Sequence, residues 1–141
     1  MNKYKTTNHC KYSIQYHLVW CPKFRFEVLK DDIAIALKEI IKNICKQYNY
    51  EILELEVQQD HIHIFLSAKP TAAPTDIVRT IKSISAIKLF DKYPKLKSFY
   101  AKNGSLWSKG YFVDTVGNAN IKTIREYIKK QNSNQKVRCN R

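Results

Sequence analysis

The sequence is poor in the two residues that most often interrupt regular structure. It has three glycines and four prolines in 141 residues, and it shows no linker, low-complexity tract or internal repeat. A chain of this length is the usual size of one domain and can bury one core. We therefore predict a single domain over 1–141, with a basic arm at 1–10 and a flexible polar tail at 133–141.

Long apolar runs are also missing. No segment approaches the roughly 18 consecutive apolar residues of a transmembrane helix, and the first eight residues lack the apolar core of a signal peptide. These absences predict a cytoplasmic protein. The four cysteines include no Cys-x-x-Cys pair, which gives little support to a zinc site or a disulfide framework.

Acidic residues are scarce relative to basic ones. The chain has 12 Asp and Glu against 25 Lys and Arg, a net charge of +13, which predicts an anionic partner. Nucleic acid is favoured because nine Tyr, six Phe and two Trp accompany the charge, and aromatic rings stack on unpaired bases. A merely soluble basic surface is the alternative. A membrane is less favoured, since neither end shows a basic amphipathic helix.

Hydrophobic periodicity divides the chain into strands and helices. Alternating apolar residues predict strands at 12–21, 50–57, 61–68 and 111–116, and helical spacing predicts helices at 31–48, 74–92 and 120–132. Asp31 or Asp32 is the expected cap of the first helix, and residues 95–108 read as irregular. The order βαββαβ plus a last helix predicts an α+β, ferredoxin-like fold, with both main helices on one face of an antiparallel sheet.

Two histidines share one face of the third predicted strand. Because side chains alternate along a strand, His61 and His63 face one way, and Ile62, Ile64 and Leu66 face the other. The fold directs the apolar face toward the helices and leaves the histidines on the open face. Two imidazoles on a rigid strand can bind one metal ion. Two ordinary polar positions on a half-exposed strand are the alternative.

The last predicted helix carries a possible nucleophile. Tyr127 and Gln131 are four residues apart and share a helical face. A tyrosine hydroxyl can attack a phosphodiester and keep the phosphate as an ester, but its ordinary pKa of ~10 means that it needs a cation nearby. His61, His63 and the amide oxygen of Gln131 form a ligand set with open positions that suits Mg²⁺ or Mn²⁺. Taken alone, Tyr127 also fits the edge of a core, and Gln131 an exposed helix end.

Basic side chains near these elements are candidate phosphate contacts. Residues 23–26 interleave basic and aromatic side chains, which suits phosphate contact with base stacking; a plain strand-to-helix loop is an equal alternative. For each basic residue, a solvated surface charge is the simpler interpretation. The candidate DNA contacts are Lys23, Arg25, Arg79, Lys82, Lys122, Arg125, Lys129 and Lys130.

Four motifs occur in the order and spacing of a known family. They are Tyr16-His17-Leu18-Val19-Trp20-Cys21-Pro22-Lys23-Phe24-Arg25, Asp60-His61-Ile62-His63, Leu106-Trp107-Ser108 with Tyr111-Phe112-Val113-Asp114-Thr115-Val116-Gly117, and Tyr127-Ile128-Lys129-Lys130-Gln131. Together they resemble the single-tyrosine HUH transposases of small bacterial insertion sequences, the TnpA type, over about residues 10–132. Ser83 stands where many members of the family have glycine, and this difference does not affect the residues that carry the chemistry.

The resemblance implies an activity, a cofactor and partners. Such enzymes of bacteria and archaea bind hairpins in single-stranded DNA at transposon ends, cut one strand through a 5′-phosphotyrosine, and rejoin strands by the reverse step. It implies Tyr127 as nucleophile, and His61, His63 and Gln131 as ligands of Mg²⁺ or Mn²⁺, with no organic cofactor. It also implies a homodimer, in which a joint at 116–118 would let the tyrosine helix complete either subunit's site.

Two other functions remain compatible with the sequence. One is a domesticated REP-associated tyrosine nuclease that acts on chromosomal repeats. The other is a non-catalytic module that binds single-stranded nucleic acid on its sheet. The module needs neither Tyr127 nor a metal ion, so the joint presence of the tyrosine, the histidine pair and Gln131 argues against it.

Overall fold

The computed structural model describes residues 4–102 and 104–115. The predicted tyrosine helix at 120–132 and the tail at 133–141 lie outside these residues. The elements in chain order are β1 (Lys5–Thr7), β2 (Cys10–Tyr12), β3 (Gln15–Trp20), a 3-10 turn (Lys23–Arg25), α1 (Asp31–Gln47), β4 (Glu51–Gln58), β5 (His61–Ser67), α2 (Pro74–Lys92), α3 (Pro94–Phe99) and β6 (Phe112–Thr115).

The main sheet of the described residues has the order β4-β5-β3-β6, and every neighbouring pair is antiparallel. β5 and β3 are the central strands, while β4 and β6 form the edges. This is the strand order of the split βαβ plan, with one helix in each crossover. The predicted α+β, ferredoxin-like class is confirmed.

Both long helices cover one face of this sheet. Leu37 and Ile41 of α1 and Ile77 and Ile81 of α2 are fully buried in one cluster with the apolar residues of β3 and β5. Their helical spacing places them on the side of each helix that meets the sheet. Each such side chain stabilises the fold by about 1.5–3 kcal/mol relative to exposure. The core therefore fixes the position of β5, which carries the two predicted ligands.

Two short elements differ from the sequence predictions. The arm at 1–10 contains β1 and the first residue of β2, which pair as a hairpin, and an ion pair joins Lys5 to Glu51 at the start of β4. The segment predicted as irregular begins with α3, which buries Leu96.

The helix α1 has Lys30 at its N-cap position, so Asp31 and Asp32 lie in the first turn. Their carboxylates there still favour the positive end of the helix dipole.

In the part of the chain that the structure describes, no helix is long and apolar enough to cross a membrane. The cytoplasmic location stays a prediction.

Cys10 and Cys45 are free thiols, and burial raises the pKa of Cys45 to about 12. Cys21 is disulfide-bonded. The sequence, which has no Cys-x-x-Cys pair, gave little support to such a bond.

Candidate active site

The two strand histidines lie at the start of β5, directly after the turn that joins it to β4. They occupy the sheet face opposite the helix-facing Ile62 and Ile64, as the alternation predicted. His61 is 3% exposed and His63 is 0% exposed, so the expected open face is in fact buried. Phe65, a large apolar residue of the same face, is also fully buried.

A third histidine joins this pair from the neighbouring strand. His17 lies on β3, which pairs with β5 so that Val19 stands opposite His63. The Nε2 atom of His17 is 3.0 Å from Nδ1 of His63. Their rings stack at 5.3 Å between centroids with 8° between planes. His17 therefore fixes the ring orientation of His63 and engages its Nδ1 atom.

His61 is held by an ion-paired carboxylate. Its Nδ1 atom is 2.7 Å from Oδ1 of Asp60, and the Nε group of Arg25 donates to Oδ2 of the same carboxylate at 3.1 Å. Asp60 is itself buried. A carboxylate on Nδ1 fixes the tautomer that carries the proton there and leaves Nε2 with a free lone pair.

The Nε2 atoms of His61 and His63 are buried and have no hydrogen-bond partner among the described residues. The two rings lie 5.0 Å apart between centroids, at 81° to each other. A buried ring nitrogen without a partner is costly unless a ligand satisfies it. Two neutral imidazole nitrogens, each oriented through its Nδ1 atom, are donors that suit a divalent transition metal ion.

The third predicted ligand, Gln131, lies outside the described residues, and so does Tyr127. Within residues 4–102 and 104–115, no cluster of three or more His, Cys, Asp or Glu side chains has the geometry of a metal site. The described residues thus bring together two metal-binding nitrogen atoms and the side chains that orient their rings. The assignments of Gln131 and Tyr127 stay predictions.

Burial keeps all three histidines neutral. It lowers the pKa of His63 to about 3, with smaller contributions from His61 and His17. It also lowers the pKa of His61, against the opposing effect of Asp60, and the pKa of His17, against that of Asp114. Neutral imidazole is the form that binds a metal ion, so protons compete little with the metal near pH 7.

Acid is expected to destabilise the metal-free protein through His63. Burial holds its pKa at about 3, whereas the ordinary value is 6.5. Between these values the unfolded state binds the extra proton, so the free energy of unfolding falls as the pH drops below about 6.5. At pH 5 this residue alone accounts for a loss of about 2 kcal/mol.

Urea unfolding in EDTA at pH 7 and pH 5 measures this loss. His63→Gln removes the titrating group and keeps a polar partner for His17. We expect the variant to lose about 2 kcal/mol less than the wild type between the two pH values. Equal losses would show that His63 does not carry the pH dependence.

Two of the predicted DNA contacts are engaged within the protein. Arg25 is ion-paired with Asp60, so the structure gives it a place beside the histidines. The ammonium group of Lys82 donates to the carbonyl oxygens of Ser108 at 2.7 Å and Gly110 at 2.9 Å. Burial lowers the pKa of Lys82 to about 8. Both side chains therefore organise loops around them.

The other predicted DNA contacts are more exposed or lie outside the described residues. Arg79 lies on the surface of α2, 3.8 Å from Asp76. The ammonium group of Lys23 lies 5.9 Å from the ring centroid of Phe24. Four basic residues fall outside the described residues and stay predictions: Lys122, Arg125, Lys129 and Lys130.

Comparison with known sequences places the chain in a family. The profile of the IS200-like transposases matches residues 10–131. The chain belongs to the IS200-like transposase family. Its likeness to the ISDra2 transposase TnpA of Deinococcus radiodurans is 38% identity over 124 residues, 88% of each chain. The transposase of insertion sequence IS200 from Salmonella typhimurium is 33% identical over 137 residues, 97% of this chain and 89% of the relative.

Solved structures agree with this placement. A crystal structure of a Deinococcus radiodurans transposase is similar with a TM-score of 0.75 and 36% identity, over 90% of this chain and 97% of that one. A REP-associated tyrosine transposase bound to a REP hairpin is similar with a TM-score of 0.57 and 16% identity, over 87% of this chain and 68% of that one. The second likeness concerns the fold. The predicted resemblance to the single-tyrosine HUH transposases is confirmed, and the chain is a DNA-binding transposase.

Proposed function

We propose that this IS200-like transposase binds hairpins in single-stranded DNA at transposon ends, and cuts and rejoins strands through a 5′-phosphotyrosine on Tyr127. One observation carries the proposal. The Nε2 atoms of His61 and His63 are both buried, oriented and without a hydrogen-bond partner among the described residues. This is the arrangement expected of two ligands that await a cation beside the scissile phosphate.

The proposed reaction is a transesterification. The hydroxyl oxygen of Tyr127 bonds to phosphorus, the bond from phosphorus to the 3′ oxygen breaks, and the proton passes overall from tyrosine to the new 3′-OH. The phosphate stays as a 5′ ester on the tyrosine, so one phosphodiester-like bond replaces another. Attack by a 3′-OH on that ester rejoins the strands, without net hydrolysis.

The proposed cofactor is Mg²⁺ or Mn²⁺, held by His61, His63 and Gln131. When bound, the cation neutralises charge on the phosphate and makes it a better target for a weak nucleophile. The protein supplies the orientation of the donors. Asp60 holds the tautomer of His61, and His17 holds the ring of His63, at the distances given above.

We propose a hairpin of single-stranded DNA as the partner, and a homodimer as the assembly. The structural relative bound to a REP hairpin supports the first, as does the charge of +13. The second is supported by β6, which lies at the edge of the sheet that the described residues form, with all four of its residues exposed. An exposed edge strand leaves backbone groups that a second copy of the chain can pair with.

The experiment that tests this function compares single-stranded with duplex DNA, and compares reactions with and without a divalent metal ion. A labelled hairpin oligonucleotide carrying a single-stranded extension is incubated with the protein in Mg²⁺, in Mn²⁺ and in EDTA. We expect cutting of the single strand with either metal, none in EDTA, and none of the fully duplex version of the same sequence. Cutting in EDTA would contradict the metal role, and equal cutting of duplex DNA would contradict the strand specificity.

A further inference from the structure

Three phenylalanines form one exposed patch at and around the turn that carries Arg25. Phe24, Phe26 and Phe99 are 41%, 43% and 58% exposed. Ring centroids are 5.5 Å apart between Phe24 and Phe26, and 5.3 Å apart between Phe26 and Phe99. Buried Tyr100 supports the patch: its ring centroid is 5.1 Å from that of Phe99 and 6.2 Å from that of Phe26. A contiguous group of exposed aromatic rings marks a binding surface.

The backbone holds the first ring of this patch outward at a strained turn. Phe24 has φ +61° and Arg25 has φ +55°, a left-handed conformation that side-chain-bearing residues rarely adopt and that clusters at functional sites. Neighbouring groups hold the turn: Lys23 donates its N–H to Leu106 at 2.7 Å. Tyr100 donates its hydroxyl to the carbonyl of Lys23 at 3.2 Å. As a result, Phe24 is exposed while Arg25 contacts Asp60.

The same turn joins the patch to the candidate ligands. Arg25 directly follows Phe24, and its Nε group donates to Asp60 at 3.1 Å. Asp60 in turn lies 2.7 Å from the ring of His61. Phe24 of the patch is thus the neighbour in sequence of Arg25, and contacts run from Arg25 through Asp60 to His61, a predicted metal ligand. A DNA strand that lies across the patch therefore contacts the turn that carries Arg25, which supports His61 through Asp60.

The surroundings of the patch are mainly basic, and Glu27 next to Phe26 is an exposed acidic neighbour. The ammonium group of Lys23 lies 5.9 Å from the ring centroid of Phe24. Lys95, Lys97 and Lys102 are exposed on or beside α3, and residues 93–113 contain no Asp or Glu. Exposed rings among lysines match a nucleic-acid strand, which presents flat bases and a charged backbone. A second copy of this surface is a poorer partner, because it would bring like charges together.

We propose that the Phe24–Phe26–Phe99 patch is a stacking surface for unpaired bases of the single-stranded DNA that leads into the histidine site. This inference rests on the proposed function for the identity of the substrate. Stacking accepts every base because each has a π face. The patch therefore contributes affinity for the unpaired segment without selecting its sequence, and it leaves recognition of the hairpin to other surfaces.

The test uses the full chain in EDTA, so that binding is measured without cutting. The probe is a hairpin oligonucleotide whose single-stranded extension carries 2-aminopurine, and the comparison probe is the hairpin without an extension. We expect Phe24→Leu and Phe99→Leu each to weaken binding of the extended probe about tenfold. They should also relieve the quenching of 2-aminopurine, and leave binding of the blunt hairpin unchanged. Leu keeps the Cβ atom, so the backbone at residue 24 bears the same strain.

The controls separate stacking from misfolding and from apolar contact. Tyr48 is 43% exposed and follows α1, and Tyr48→Leu should bind both probes like the wild type. Phe99→Tyr keeps a ring and should restore the affinity that Phe99→Leu loses. Circular dichroism and thermal unfolding confirm that each variant is folded.

Two results would overturn the proposal. In the first, the leucine variants bind the extended probe and quench 2-aminopurine like the wild type. In the second, they leave DNA binding unchanged and alter the sedimentation mass, which would assign the patch to a protein contact. Failure of the proposed function looks different: the wild type would form no metal-dependent product, while the dependence of binding on the rings would still be measured.

Discussion

Tyr127→Phe is expected to abolish cutting of single-stranded hairpin DNA and to leave hairpin binding unchanged. The substitution removes one oxygen, the atom that is proposed to bond to phosphorus, and keeps the ring. Removal of a nucleophile typically costs on the order of 10³-fold or more in rate. A denaturing gel of end-labelled DNA measures the cutting, and fluorescence anisotropy of the same DNA measures the binding.

The matched control for this substitution is Tyr48→Phe. Tyr48 is exposed just after α1, near the end of the sheet where β4 begins, whereas the histidines lie near the end of β4. The loss of its hydroxyl should leave both rate and affinity at wild-type levels. Cutting that persists in Tyr127→Phe would rule out the tyrosine as nucleophile, and lost hairpin binding would show that the hydroxyl group acts mainly in DNA recognition.

His61→Ala is expected to remove metal binding and, with it, metal-dependent cutting. The side chain supplies one of the two oriented Nε2 donors of the proposed three-ligand site, and a site that loses one of its two nitrogen donors keeps little affinity for Mn²⁺. Electron paramagnetic resonance of free Mn²⁺ measures the affinity without DNA and without reaction. The gel assay then reports cutting at the same metal concentrations.

Graded effects distinguish a ligand from the residues that position it. His17→Ala should weaken Mn²⁺ binding about 10–100-fold and no further, because His17 only orients His63. His9 lies exposed in the turn between β1 and β2, and His9→Ala should leave the affinity unchanged. Wild-type Mn²⁺ affinity in His61→Ala would contradict the metal site. An effect of His17→Ala as large as that of His61→Ala would make His17 a ligand itself.

The sequence predicts long elements better than short ones, for a physical reason. The helices α1 and α2 and the strands β4 and β5 contain enough residues for their periodicity to be read. The hairpin of β1 and β2 has strands of three residues, and α3 has six, which is too short for either period. Contacts from distant residues support these elements, such as the pairing of Lys5 with Glu51, and a sequence pattern does not contain such contacts.

The candidate site shows the same division. Alternation along one strand was enough to place His61 and His63 on one face. The support of His63 by His17 depends on the register between β3 and β5, which no single-strand pattern reveals. Arg25 was predicted as a DNA contact because basic and aromatic side chains interleave at residues 23–26. The turn that directs it to Asp60 uses backbone angles that glycine favours, and residues 24 and 25 carry no sequence signal for them.

The central claim is a covalent link between DNA and one residue of this chain. The protein is incubated with Mg²⁺ and hairpin DNA that is labelled on the 3′ side of the cut, digested with protease, and analysed by mass spectrometry. We expect a peptide that contains Tyr127 and carries the 5′-phosphate of the labelled strand. An adduct on any other residue, or cutting without an adduct, would contradict the account.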